Sequence, residues 1–162
     1  AYEVMSRERE WGVSQLKEED LSYLKQLPRD VKMTIGDNKI VHGFHATPNS
    51  LFQNVMPDEK DDAMEALLME DKSADIYVYG HIHRAFVRFI NGKIVLNPGS
   101  VGLPFEGLPL ASYAIMDVQG KNVKTEIARV EYDVEAAIQR YEKMDYPNTE
   151  QMSRVLRRGM LS

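Results

Sequence analysis

The sequence predicts one mixed α/β domain over residues 1–162, with helices early and late and a sheet between them. Three observations carry this. Two apolar strand-like runs, Lys39–Gly43 and Asp75–Tyr79, each end against a histidine cluster. Asn91-Gly92 sits between two apolar runs, the strongest short hairpin signal in a sequence. Leucines at helical spacing mark segments before and after the first histidine cluster. A chain of 162 residues is long enough to bury a sizeable core.

The elements follow in order. Residues 1–16 show no clean period, so no element is assigned there. Leu16 to Leu27 reads as a helix, with Leu21, Leu24 and Leu27 on one face and Pro28 ending it. Val31–Ile35 alternates as a strand. Gly36-Asp37-Asn38 is turn chemistry, and Lys39–Gly43 is the second strand. Residues 44–59 form a loop with two prolines. Asp61–Glu70 is a helix with Met64, Leu67 and Leu68 as its apolar stripe. Asp75–Tyr79 is nearly all apolar, as a buried central strand should be. Phe86–Ile90 and Lys93–Leu96 make the hairpin around Asn91-Gly92. Asn97 to Pro104 is a rigid, glycine-rich loop. Ala111–Val118 and Asn122–Tyr132 pair around Gln119-Gly120. Asp133 caps a helix running to about Met144, and a last helix starts near Thr149. No repeat, linker or low-complexity segment interrupts the chain.

Composition narrows the function. The chain is 43% hydrophobic and 28% charged, ordinary for a globular protein, and a cytoplasmic setting is expected. Net charge is −5, so there is no broad basic face to serve as a nucleic-acid groove. Arg154, Arg157 and Arg158 at helical spacing read as a solvated terminal turn. With no cysteine, disulfides, thiolate zinc sites and thiol nucleophiles are excluded. No apolar run approaches the roughly 20 residues of a membrane span.

All four histidines fall in two clusters, Val41-His42-Gly43-Phe44-His45 and Gly80-His81-Ile82-His83. Imidazole is the commonest nitrogen ligand of catalytic transition metals, and sheets of this kind keep their sites at the carboxyl ends of strands. His42, His81 and His83 are therefore the candidate metal ligands. His45 either lines the pocket or faces solvent. Arg84 either contacts substrate or is a solvated loop charge. Two adjacent metals also need carboxylates, and the candidates are poor. Asp37 lies at a hairpin tip, and Asp75 starts its strand about 16 Å from the histidine end. Asp58, Glu59, Asp61 and Asp62 suit the start of a helix better than a metal. Asn97-Pro98-Gly99-Ser100 lacks the ending of a phosphate loop and reads as a tight turn packed against the histidine loops. No Gly-X-Ser-X-Gly motif is present.

The ordered set Ile40-Val41-His42-Gly43, Tyr79 to Arg84, Asn91 to Pro104 and Ala111 to Asp117 resembles the calcineurin-like metallophosphoesterases, in particular their small bacterial and archaeal phosphodiesterase branch. The resemblance covers roughly residues 30–130. It implies a four-layer α/β/β/α sandwich and two divalent ions, from among manganese, iron, nickel and zinc. By that resemblance His42 and His81 hold one ion and His83 the other, while His45 and Arg84 are second-tier candidates for contacting substrate or supporting the ligands. A metal-bridging hydroxide would then attack a phosphodiester or nucleotide phosphoanhydride. The family's Asp-X-His, Gly-Asp and Gly-Asn-His motifs are not in this sequence. The expectation is a carboxyl-terminal part lacking its N-terminal strands and helices, about 60–90 residues short by domain-size arithmetic. The full protein is expected to be active and this chain alone inactive. Two other readings stay open: a catalytically silent scaffold, as in the metallophosphoesterase-like subunit of the retromer complex, and a regulatory domain holding one metal. No membrane partner is expected. The last 30 residues read as either an intrachain cap or a dimer contact, which leaves an oligomer open.

Overall fold

The computed structural model describes residues 2–161. Its centre is a five-stranded mixed sheet of β1 (Asp30–Ile35), β2 (Lys39–Phe44), β3 (Ile76–Tyr79), β4 (Ala85–Ile90) and β5 (Lys93–Pro98), in the order β1-β2-β3-β5-β4. β1 and β2 form an antiparallel hairpin, as do β4 and β5. Both hairpins turn through left-handed residues, Gly36 and Asn38 in the first and Asn91 and Gly92 in the second. Asn and Gly tolerate that conformation, which matches the twist of the flanking strands.

The three inner strands β2, β3 and β5 run parallel. The crossover from β2 to β3 carries α3 (Asp61–Leu68), which covers one face of the sheet. Met64 and Leu68 of α3 pack there with Phe44, Tyr77, Tyr79 and Val95. Burying each such side chain is worth about 1.5–3 kcal/mol, so this cluster dominates the local stability. The Tyr79 hydroxyl donates to the Val55 carbonyl at 2.6 Å, which ties the long 45–60 loop to the core.

The opposite face is covered by a second, two-stranded sheet of β6 (Ala111–Gln119) and β7 (Asn122–Val130). Met116 and Val123 from that hairpin pack on Val41, Ile76 and Ile94 of the central sheet. Alternation along β6 sends Tyr113 and Ile115 to the outer side, where they are 45% and 50% exposed. Helix, sheet and sheet are thus stacked in the order the expected sandwich requires.

Four more helices complete the chain: α1 (Tyr2–Ser14), α2 (Glu18–Gln26), α4 (Val134–Lys143) and α5 (Thr149–Arg158). The α1 helix corrects the reading of residues 1–16 as patternless. It is rich in charged residues and has almost no apolar stripe, so periodicity cannot reveal it. It is held by a few specific contacts instead. The Trp11 indole donates to the Met144 carbonyl at 3.1 Å and meets Tyr146 edge-on. Glu8 accepts from Tyr146 and Asn148. These contacts tie the segment between α4 and α5 to α1. Asp133 caps α4 by accepting from the Ala136 N–H at 2.9 Å. Gly159 ends α5 in the left-handed conformation.

Candidate metal and phosphoester site

β2 and β3 end flush. Phe44 is the register partner of Tyr79, so the residues just beyond both strands lie side by side. The Gly80 N–H donates to the His45 carbonyl at 2.9 Å and locks the two ends together. This places His45 against His81, with Nε2 and Nδ1 3.1 Å apart and ring centroids 5.0 Å apart.

His42 lies apart from the His45–His81 pair in this structure. The strand runs through Gly43 to Phe44. His42 therefore lies within β2, 3% exposed, on the face with Phe44 and Tyr77. Its Nε2 pairs with the Asp30 carboxylate at 2.7 Å, and its Nδ1 is buried without a protein partner. Three residues of strand put it about 10 Å back from His45. The two clusters do converge, but through His45.

The His81–His83 loop has an unusual backbone. His81 has φ +63° and His83 φ +55°, a region few non-glycine residues enter. The Ile82 N–H donates back to the Gly80 carbonyl at 2.7 Å, closing a three-residue turn with His81 at its strained centre. Such conformations persist only when the surroundings hold them, and they concentrate at functional sites.

Here the supports are visible. Asn97, fully buried, donates from Nδ2 to the Gly80 carbonyl at 2.7 Å and accepts from the Gly99 N–H at 3.0 Å. The Asn-Pro-Gly-Ser segment is thus the packed turn its sequence suggested. His83 pairs through Nδ1 with the Leu103 carbonyl at 2.7 Å and stacks on Phe105 at 4.8 Å. The Phe105 N–H donates to the His83 carbonyl. Glu106 accepts from the Ala85 N–H through Oε1, and its Oε2 takes both Nε and an Nη of Arg129. Glu106 and Leu103 were missed in the sequence because no motif marks a loop that clamps another loop.

Burial, followed by the nearby His81 and His83 rings, holds the His45 pKa below the usual imidazole value. The facing nitrogens of His45 and His81 share a hydrogen bond, which a cation bound between two neutral imidazoles would replace. The nitrogen separation also fits one. Two nitrogens bound at about 2.0–2.1 Å to one ion sit about 2.9–3.4 Å apart for angles between square and tetrahedral. The 3.1 Å pair falls inside that range. His83 has its Nδ1 engaged by a carbonyl, the usual outer support of an imidazole ligand, which leaves Nε2 for the site. Among the described residues, no group of three or more His, Cys, Asp or Glu side chains is arranged to hold a metal. This chain therefore offers a two-imidazole edge with a third imidazole close by.

Beside His81 opens a cleft of about 640 Å³. Met56, Pro57, Ile82 and Phe105 give it apolar walls, and Arg84 gives it a cation. Arg84 is exposed and forms no ion pair among the described residues. No helix among the described residues is long and apolar enough to cross a membrane.

The order of these elements and loops defines a protein class. The chain belongs to the calcineurin-like phosphoesterase superfamily, whose domain matches residues 12–121. Among individual proteins, it is 32% identical to the uncharacterized protein MJ0912 of Methanocaldococcus jannaschii, over 85% of this chain and 59% of that protein. Two crystal structures share the fold. The hypothetical protein PH1004 from Pyrococcus horikoshii OT3 matches with a TM-score of 0.78 at 23% identity, over 92% of this chain and 57% of that one. A metallophosphoesterase from Sphaerobacter thermophilus matches with a TM-score of 0.64 at 22% identity, over 91% of this chain and 64% of that one. The chain thus spans less than two thirds of each of these relatives.

Proposed function

We propose that this chain forms part of a metal-dependent phosphoesterase acting on a phosphodiester or a nucleotide phosphoanhydride. The observation that carries the reading is the His45–His81 pair, held on a strained turn at the mouth of a cleft containing Arg84. In this reading His45 and His81 hold a divalent cation, with His83 presenting Nε2 to the same region. Bound divalent ions, from among manganese, iron, nickel and zinc, supply activation of water and stabilise charge developing at phosphorus. The chain's own groups do the rest. Low basicity keeps the His45 imidazole neutral, so its nitrogen is available as a donor. Asn97 and Glu106 fix the histidine loop against rotation. Arg84 orients the phosphate by charge-assisted hydrogen bonds, which guanidinium forms in pairs. A single unpaired guanidinium and apolar walls suit a singly charged diester better than a doubly charged monoester. A cytoplasmic setting accompanies this reading, since a chain without cysteine gains nothing from an oxidising compartment.

The test is hydrolysis of bis-p-nitrophenyl phosphate by the full-length protein with added manganese. The expected result is turnover that falls to background in His81→Ala and His45→Ala. Metal-loaded full-length protein with no turnover, or turnover indifferent to both substitutions, refutes the enzyme and leaves the scaffold reading.

A further inference from the structure

Arg84 is bracketed by two peptide groups that one loop holds. On one side the His83 carbonyl accepts from the Phe105 N–H at 3.2 Å. On the other the Ala85 N–H donates to Oε1 of Glu106. Consecutive loop residues thus fix the backbone immediately before and after the arginine. The sheet gives a reason for the second bond. Ala85 opens β4 opposite Pro98 of β5, and proline has no N–H, so that rung cannot form both of its backbone bonds. Glu106 holds this end of β4 instead.

Glu106 is in turn held from the second sheet. Arg129 of β7 places Nε 3.2 Å and an Nη 3.0 Å from its Oε2. The Glu106 side chain is 15% exposed, the least of any carboxylate in an ion pair among the described residues. A carboxylate so shielded needs a partner to offset its lost hydration. The base under Arg129 is firm. Its register partner Ser112 is buried, donates its N–H to the Ser100 carbonyl at 2.9 Å, and accepts from the Ser100 N–H through Oγ at 2.9 Å.

Glu106 also lines the cleft that Arg84 lines, whereas Arg129 does not. An unpaired carboxylate in that wall would repel an anionic phosphoester and compete with it for the Arg84 guanidinium. Paired with Arg129, it does neither, and its other oxygen stays on Ala85. We propose that Arg129 is a positioning residue for substrate. It occupies the Glu106 carboxylate, so that Arg84 is fixed in its backbone and left free in its side chain for a phosphate oxygen. This rests on the phosphoesterase reading for the ligand. The role suits arginine, whose planar fork gives two contacts where lysine offers a point charge.

The test reads KM and kcat for bis-p-nitrophenyl phosphate in the full-length protein with manganese. Arg129→Gln is expected to raise KM at least fivefold and to leave kcat within twofold, since the imidazoles are untouched. In an Arg84→Gln background the same substitution should change kcat/KM less than twofold, because the group it acts through is gone. In a Glu106→Gln background it should also cost less than twofold, since the amide oxygen can still accept from Ala85 and no charge remains. Lys124→Gln removes an equal charge from the same strand and should leave KM within twofold. An unchanged KM in Arg129→Gln overturns the proposal. So does a loss confined to kcat, or a full effect that persists without Arg84, the mark of a merely structural ion pair. If the unsubstituted full-length protein does not turn over the diester, dimethyl phosphate is titrated against it while NMR follows the Arg84 Nε–H signal. Binding at least fivefold weaker in Arg129→Gln then upholds the positioning role while the enzyme reading falls. Equal binding, or an Arg84 signal that does not move, overturns the positioning role.

Discussion

Asn97→Ala tests whether the histidine loop is held as described. Asn97 is fully buried and makes two hydrogen bonds, donating to the Gly80 carbonyl and accepting from the Gly99 N–H. The Gly80 carbonyl keeps a second partner in the Ile82 N–H, so that side loses one ordinary hydrogen bond, about 1 kcal/mol. The Gly99 N–H has no other protein partner among the described residues, and leaving it unpaired costs about 1–3 kcal/mol. The sum is about 2–4 kcal/mol, large against a typical domain stability of about 5–15 kcal/mol. Asn97→Asp has a different signature. It retains an acceptor for Gly99 but sets a carboxylate oxygen against the Gly80 carbonyl, so it should cost more than alanine at pH 7. The introduced carboxyl would have a folded pKa above its unfolded value, because burial and the facing carbonyl both disfavour its charge. Its favourable part is therefore present in acid and lost as pH rises through the folded pKa. Urea unfolding followed by circular dichroism at pH 7 and pH 4 measures all of this. A loss below about 1 kcal/mol for the alanine variant, or an aspartate variant stabler than alanine at pH 7, would refute the anchoring role.

Three further outcomes are expected. Gly159→Ala should destabilise by about 2 kcal/mol or more. Its φ is +64° and a Cβ there would clash with the Leu108 backbone, whereas Gly102→Ala, with nothing within 4 Å, should stay within about 0.5 kcal/mol in the same urea assay. Asp75 accepts from the Ile40 N–H at 3.0 Å and from Lys39 at 3.1 Å, and these contacts hold its pKa below the usual carboxylate value. Its contribution is present above the unfolded pKa and lost as pH falls, so the drop in urea midpoint from pH 5 to pH 3 should be smaller in Asp75→Asn than in the unsubstituted chain. In calorimetric titration with zinc, His45→Ala and His81→Ala should abolish binding, while His42→Gln should retain it and lose stability. Zinc binding lost in a folded His42→Gln protein would restore His42 as a ligand.

Much of the architecture is legible in the sequence because hairpins and central strands announce themselves locally. Asn91-Gly92 specifies a left-handed turn, and the all-apolar β3 specifies burial on both faces. The α1 helix is not legible, because the side-chain tethers described for it reach residues more than 130 positions away. The site was half legible for a sharper reason. Glycine after His42 suggests a strand end, yet Gly43 has no left-handed φ, and a Cβ there would meet nothing closer than 3.8 Å. It is an ordinary strand position, so β2 continues and His42 turns inward.

What the sequence does contain is a register argument. β2 and β3 each finish on an aromatic residue, Phe44 and Tyr79, and these pair across the ladder. Parallel strands that end level must bring together the residues that follow. Those residues are His45 on one side and Gly80-His81 on the other. Counting from the matched strand ends places His45, rather than His42, beside Gly80-His81. The left-handed turn at His81 has no comparable signature. It depends on Asn97 and Glu106, whose partners lie 17 and 21 positions away, and a strain held by distant side chains leaves no mark on the residue that bears it.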